Sequence, residues 1–204
     1  EQHIKLFTGI VFANVAGAAV PDILDEDAIY VSPNTASATF AGKDCNANYY
    51  VSSWQDDGQG ESAGALAQSK EYPTAFLLAP NYQAGRETMD AFKRFYKGKV
   101  VGEVYTQLDQ TDFAAEIAQI RAAKPAVVYE FEPGGMGIAF LQQYQQSGLI
   151  KDIPMVVHPA SLDQVIVNVV GDAADGVKVT SYWNDDLDNP ENKRFVENFV
   201  KAYG

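Results

Sequence analysis

The chain is poor in the residues that most often carry covalent or metal chemistry. It has one cysteine and two histidines in 204 residues. Cys45 cannot form an internal disulfide, which leaves a buried free thiol or a bridge to a partner outside this chain. His3 and His158 have no partner at metal-ligand spacing, so no metal site is expected. Basic residues are also few: 15 Lys and Arg stand against 27 Asp and Glu, for a formal charge of -12. That balance argues against nucleic acid and anionic lipid, both of which need Lys and Arg to neutralise phosphate. Self-repulsion of this size fits a monomer. No run approaches the ~18 consecutive apolar residues of a membrane-spanning helix. No secretory signal is visible at the Glu-Gln-His start. The abrupt opening on a strand and the stop after a helix lead us to expect a fragment truncated at both ends.

What is present is a regular alternation of short apolar runs and helical patterns. Strands are expected at 4–12, 28–32, 48–54, 74–79, 100–106, 126–131, 155–157 and 177–183. Helices are expected at 15–24, 60–70, 85–97, 112–123, 135–147, 161–170 and 189–203. Asp112 stands at a helix start. Gly148 marks a helix end. Strands alternating with helices of this length imply an α/β fold with parallel sheets flanked by helices. The polar crossing at 52–57 and the aromatic strand end at 182–184 are the expected hinges. They divide the chain into a first lobe, 1–53 plus 184–204, and a second lobe, 54–183.

Parallel sheets bind ligands beyond the carboxyl ends of their strands. That rule selects the loops 12–14, 32–37, 80–84, 132–137 and 158–161. They offer amides (Asn14, Asn34), hydroxyls (Thr35, Ser37, Tyr82) and aromatic faces (Phe12, Phe131), with Glu132 as the one acid and no Lys or Arg. Helices start directly after most of them, and free N–H groups at a helix start suit an anion. A small carboxylate with an apolar body is therefore the expected ligand, although any one Ser, Thr or Asn there also serves as an ordinary helix cap.

Two motifs are weighed and set aside. Gly60-Glu61-Ser62-Ala63-Gly64 matches the G-x-S-x-G elbow of α/β-hydrolases. An elbow needs a buried strand running into its first glycine, and Asp56-Asp57-Gly58-Gln59 stands there instead; the alternative is a small-residue helix packed closely on a neighbour. Pro133-Gly134-Gly135-Met136-Gly137 follows a strand and opens a helix but is not G-x-G-x-x-G, and no acid sits at ribose distance. No cofactor and no catalytic residue are expected, and His158 is taken as a structural hydrogen-bonding residue.

The ordered series Thr8-Gly9-Ile10-Val11-Phe12-Ala13-Asn14, Ile29 to Ser37, Pro80 to Gly85, Phe131 to Gly134 and Gly171 to Val177 resembles the type I periplasmic binding proteins of branched-chain amino acid ABC transporters. The resemblance covers essentially the whole chain. It implies two Rossmann-like lobes, a solute bound between them, delivery to a membrane permease and a periplasmic, or membrane-anchored extracellular, location. It carries ligand-carboxylate binding to Asn34, Thr35 and Ala36, and the closing aromatic to Tyr82. The family's serine near the first turn is here Ala13. Amino-acid binders place an acid at the position of Ala160 to pair with the ligand ammonium; its absence points to a carboxylate without an α-amine unless Glu132 substitutes. The alternatives are a hydrolase using Ser62 and a ligand-sensing receptor or regulator on the same fold.

Overall fold

Two parallel sheets organise the protein, and the order of their strands explains where a cleft can form. The computed structural model describes residues 3–204; residues 1 and 2, which the expected first lobe includes, lie outside the described residues. The elements run β1 (Leu6–Thr8), α1 (Ala13–Asp25), β2 (Ile29–Ser32), α2 (Ala38–Ala41), β3 (Tyr49–Val51), α3 (Asp57–Ser69), β4 (Thr74–Pro80) and α4 (Gln83–Phe95). They continue as β5 (Lys99–Thr106), α5 (Ala114–Ala123), β6 (Val127–Glu130), α6 (Gly135–Gln146), β7 (Met155–Val157), α7 (Gln164–Val170), β8 (Lys178–Val179) and α8 (Pro190–Tyr203). The first sheet has the order β1-β2-β3 and the second β5-β4-β6-β7-β8. Every pairing is parallel. In the second sheet the order reverses between β4 and β6, which opens a crevice at their carboxyl ends.

The second sheet is covered on both faces, as parallel sheets are. One layer centres on Phe76, Leu78, Phe113, Val128, Phe140 and Met155, the other on Leu77, Met89, Phe92, Val127, Tyr129 and Phe131. The small-residue run in α3 lets it lie directly on α4. A methyl group on Gly60 would come within 2.5 Å of the Thr88 carbonyl oxygen, and one on Gly64 within 2.2 Å of the Phe92 carbonyl oxygen. Ser62 lies inside α3 and donates a 2.8 Å hydrogen bond to the Gly58 carbonyl. No strand runs into Gly60, because β3 ends at Val51 and the helix is already formed at Asp57. Among the described residues this is a helix-packing segment without elbow geometry.

The first sheet is shorter than expected. β1 stops at Thr8 because Gly9 (φ 113°) and Ile10 (φ 60°) turn the chain out of the extended region. The run 4–12 is read as a strand closing on Gly9, and the turn falls there. The expected strand 177–183 is likewise reduced to Lys178–Val179. Asp163 rather than Ser161 opens α7, its side chain accepting from the Ile166 amide at 2.8 Å. The aromatic stripe of α8, Phe195, Phe199 and Tyr203, is exposed. Cys45 is exposed too, not buried as one of its two readings had it.

The two segments that cross between the sheets lie side by side. Trp54 stacks on Tyr182 with ring centroids 5.2 Å apart, and the Tyr182 hydroxyl donates to the Gln55 carbonyl at 2.5 Å.

Candidate functional site

Strand ends from both sheets and both crossing segments enclose a cavity of about 640 Å³. Of the residues selected from sequence, Phe12, Ala13, Asn34, Thr35, Tyr82, Phe131, His158 and Ala160 line it, whereas Asn14, Ala36, Ser37 and Glu132 do not. The second sheet contributes the loops after β4, β6 and β7, the first two flanking the point where the strand order reverses.

An aromatic run spans the cavity. Phe12 meets Tyr82 edge-on at 6.2 Å, Tyr82 stacks on Phe131 at 6.2 Å, and Phe131 lies 4.4 Å from the His158 ring. Trp54, Tyr182 and Trp183 add further faces from the crossing segments. Among the described residues no Lys or Arg lines the cavity. His158 is buried, and desolvation lowers its pKa to about 3. Its Nδ1 accepts from the Ala160 amide at 3.1 Å, so the neutral ring carries its proton on Nε2.

The donors expected to hold a ligand carboxylate are partly engaged within the protein. The Thr35 hydroxyl and the Ala36 amide both donate to Asp56, each at 2.9 Å. The Ser37 hydroxyl donates to Glu87 at 2.5 Å. What stays available is the start of α1, where the Ala13 and Asn14 amides have no acceptor among the described residues, and the exposed Asn34 side chain. Helix-start amides and the dipole behind them favour negative charge.

Asp56 lines the cavity. Desolvation pushes its pKa up, the Ala36 and Thr35 bonds hold it down, and Glu87 and Asp57 push it up again. Glu132 follows β6 but is not part of the cavity lining. Tyr129 and Phe131 pack in one apolar layer of the second sheet, and Glu130 and Glu132 fall on the alternate positions. Glu132 accepts from the Thr106 hydroxyl at 2.7 Å and is fully buried, and desolvation raises its pKa to about 8. Burial and the neighbouring Glu132 charge raise Glu130 well above the carboxylate range.

Sequence reasoning did not select Trp54, Asp56, Gln59, Thr88, Asp163, Tyr182 or Trp183, all of which line the cavity. The usable signal was the pair of expected hinges: segments that cross between two sheets necessarily form the back of the cleft between them.

A family model described as periplasmic binding protein matches residues 1–204. A Leu/Ile/Val-binding protein homolog of Brucella melitensis is 25% identical over 213 residues, taking in 100% of this chain and 53% of that protein. A solute-binding protein of an R. palustris ABC transporter, solved in complex with benzoate, is 28% identical with a TM-score of 0.87; the match takes in 98% of this chain and 55% of that one. A leucine-binding protein of Thermotoga maritima shares the fold at TM-score 0.80 and 17% identity, over 98% of this chain and 57% of that one. The chain thus spans about half the length of the relatives it matches.

Proposed function

The chain belongs to the periplasmic binding protein family, and from that premise we propose that it contributes the cleft of a solute-binding protein that captures a small aromatic carboxylate for an ABC importer. The whole protein works outside the cytoplasmic membrane, in the periplasm or anchored at the surface, as a monomer. It hands its ligand unchanged to a membrane permease. Residues 1–53 with 184–204 act as one lobe and 54–183 as the other, hinged near 52–57 and 182–184.

The observation that carries the ligand class is Ala160. It lines the cavity where an ammonium-binding acid would be expected, among aromatic walls and without a Lys or Arg among the described lining residues. An aromatic body packs on Tyr82, Phe12 and Phe131, and a carboxylate takes the Ala13 amide with the Asn34 side chain. Hydrogen bonds to a charged acceptor contribute about 1.5–3 kcal/mol each, so no Lys or Arg is required. The similar R. palustris protein was solved with benzoate, which fits this reading.

One observation favours a second reading, an α-amino acid. Asp56 brings a carboxylate into the same cavity, and a ligand ammonium could pair with it. Two variants of the complete protein separate the readings. Ala160→Glu is expected to weaken benzoate binding about tenfold or more, because a like charge then faces the ligand. Asp56→Asn is expected to leave benzoate binding intact. Leucine binding that is tight in the parent protein and lost in Asp56→Asn would establish the amino-acid reading instead.

A further inference from the structure

Ser37 was selected as a ligand contact, but the structure uses it differently. It caps α2, accepting from the Thr39 amide at 3.2 Å, and is buried. Its hydroxyl donates to Glu87 on α4 at 2.5 Å. Gln83, the first residue of α4, donates to the same Ser37 oxygen at 2.8 Å and to the same Glu87 oxygen at 3.0 Å. Ser37 follows a strand of the first sheet, whereas Gln83 and Glu87 follow a strand of the second. A closed triangle of hydrogen bonds therefore joins the two sides outside the cavity. The helices approach closely at the same place: a methyl on Gly17 of α1 would sit 3.0 Å from the Gln83 side-chain oxygen.

We propose that Ser37, Gln83 and Glu87 form an interlobe latch that sets ligand affinity without touching the ligand. The proposal rests on the two-lobed binding reading above. The triangle bridges two elements that already face the cavity. The loop ending at Ser37 carries Asn34 and Thr35, and the residue before Gln83 is Tyr82. When the lobes part, the two bonds to Ser37 break together while the Gln83–Glu87 bond stays within α4, so the latch biases the protein toward the closed arrangement in which Tyr82 and the first-lobe loop face one ligand. Apparent affinity scales with the closed fraction, so loss of the latch weakens every ligand by one common factor. A residue that touches the ligand would instead change the ranking of ligands. Ser37, Gln83 and Glu87 are positioning residues in this sense.

The test uses the complete protein with spin labels on Asp22→Cys and Lys97→Cys in a Cys45→Ser background. Without ligand, Glu87→Leu and the near-isosteric Gln83→Met are expected to shift the interlabel distances to longer values. Ser37→Ala should do the same, and Ser37→Ala with Glu87→Leu no more than either alone. In titrations, Glu87→Leu should weaken benzoate and 4-hydroxybenzoate by the same factor, roughly tenfold. Distance distributions identical to the parent's overturn the latch, as do losses that differ between the two ligands. If neither acid binds the parent protein, the ligand reading fails, and the distances alone still decide the latch.

Discussion

Glu132→Gln is expected to stabilise the protein at alkaline pH and to leave it unchanged near pH 4.5. The carboxyl is buried outside the cavity lining beside Thr106, its pKa raised to about 8 by desolvation. The folded state keeps a proton there that the unfolded chain releases near the ordinary value. Between about 4.5 and 8 the folded protein therefore binds more protons than the unfolded one, and stability falls as pH rises. Below that window the group costs nothing, and above it the cost is constant. At about 1.4 kcal/mol per pH unit the full effect is of order 3 kcal/mol, allowing for relaxation around the charge. Glutamine keeps an oxygen for the Thr106 hydroxyl and cannot ionise. Urea unfolding at pH 4.5 and 8.5 checks this: parent and variant should agree at the lower pH and separate by a few kcal/mol at the higher. Equal stability at pH 8.5 would show that Glu132 ionises in the fold at no cost.

Gly64→Ala should destabilise the second lobe by about 3 kcal/mol, the upper range for overpacking a rigid contact. Helix propensity alone gives the opposite sign, since alanine is favoured over glycine by up to about 1 kcal/mol inside a helix. Packing wins because the new methyl would lie 2.2 Å from the Phe92 carbonyl oxygen and 3.2 Å from its Cα. Those are backbone atoms, so α3 and α4 must separate along their length. Gly135→Ala is the control: it opens α6, and nothing lies within 4 Å of the added methyl. Denaturant midpoints should fall sharply for the first variant and hold or rise for the second.

The sequence made the second sheet plain and the first less so, for a physical reason. Strands such as 74–79 and 126–131 are buried on both faces and appear as continuous apolar runs, and the structure places β4 and β6 there within one or two residues. The first sheet's strands are only three or four residues long, and in the run 4–12 only Gly9 marks the turn while the apolar pattern continues past it. Aromatic lining was legible because Phe12, Tyr82 and Phe131 lie in the loops that lead from strands into helices. The roles of Asp56 and Glu87 were not. Each is defined by a partner far along the chain, Thr35 for Asp56 and Ser37 for Glu87, and residue type alone carries no trace of such a pairing. Glu132 shows the converse: its place after β6 suggested the cleft, and its carboxyl is instead buried against the Thr106 hydroxyl outside the lining.

The central claim is that the cleft binds an aromatic carboxylate lacking an α-amine. Calorimetric titration of the complete protein with benzoate, 4-hydroxybenzoate, leucine and phenylalanine tests it most directly. The account predicts tight, saturable binding of at least one of the two benzoates and weak or no binding of the two amino acids. Tight binding of leucine or phenylalanine with no response to either benzoate would contradict it.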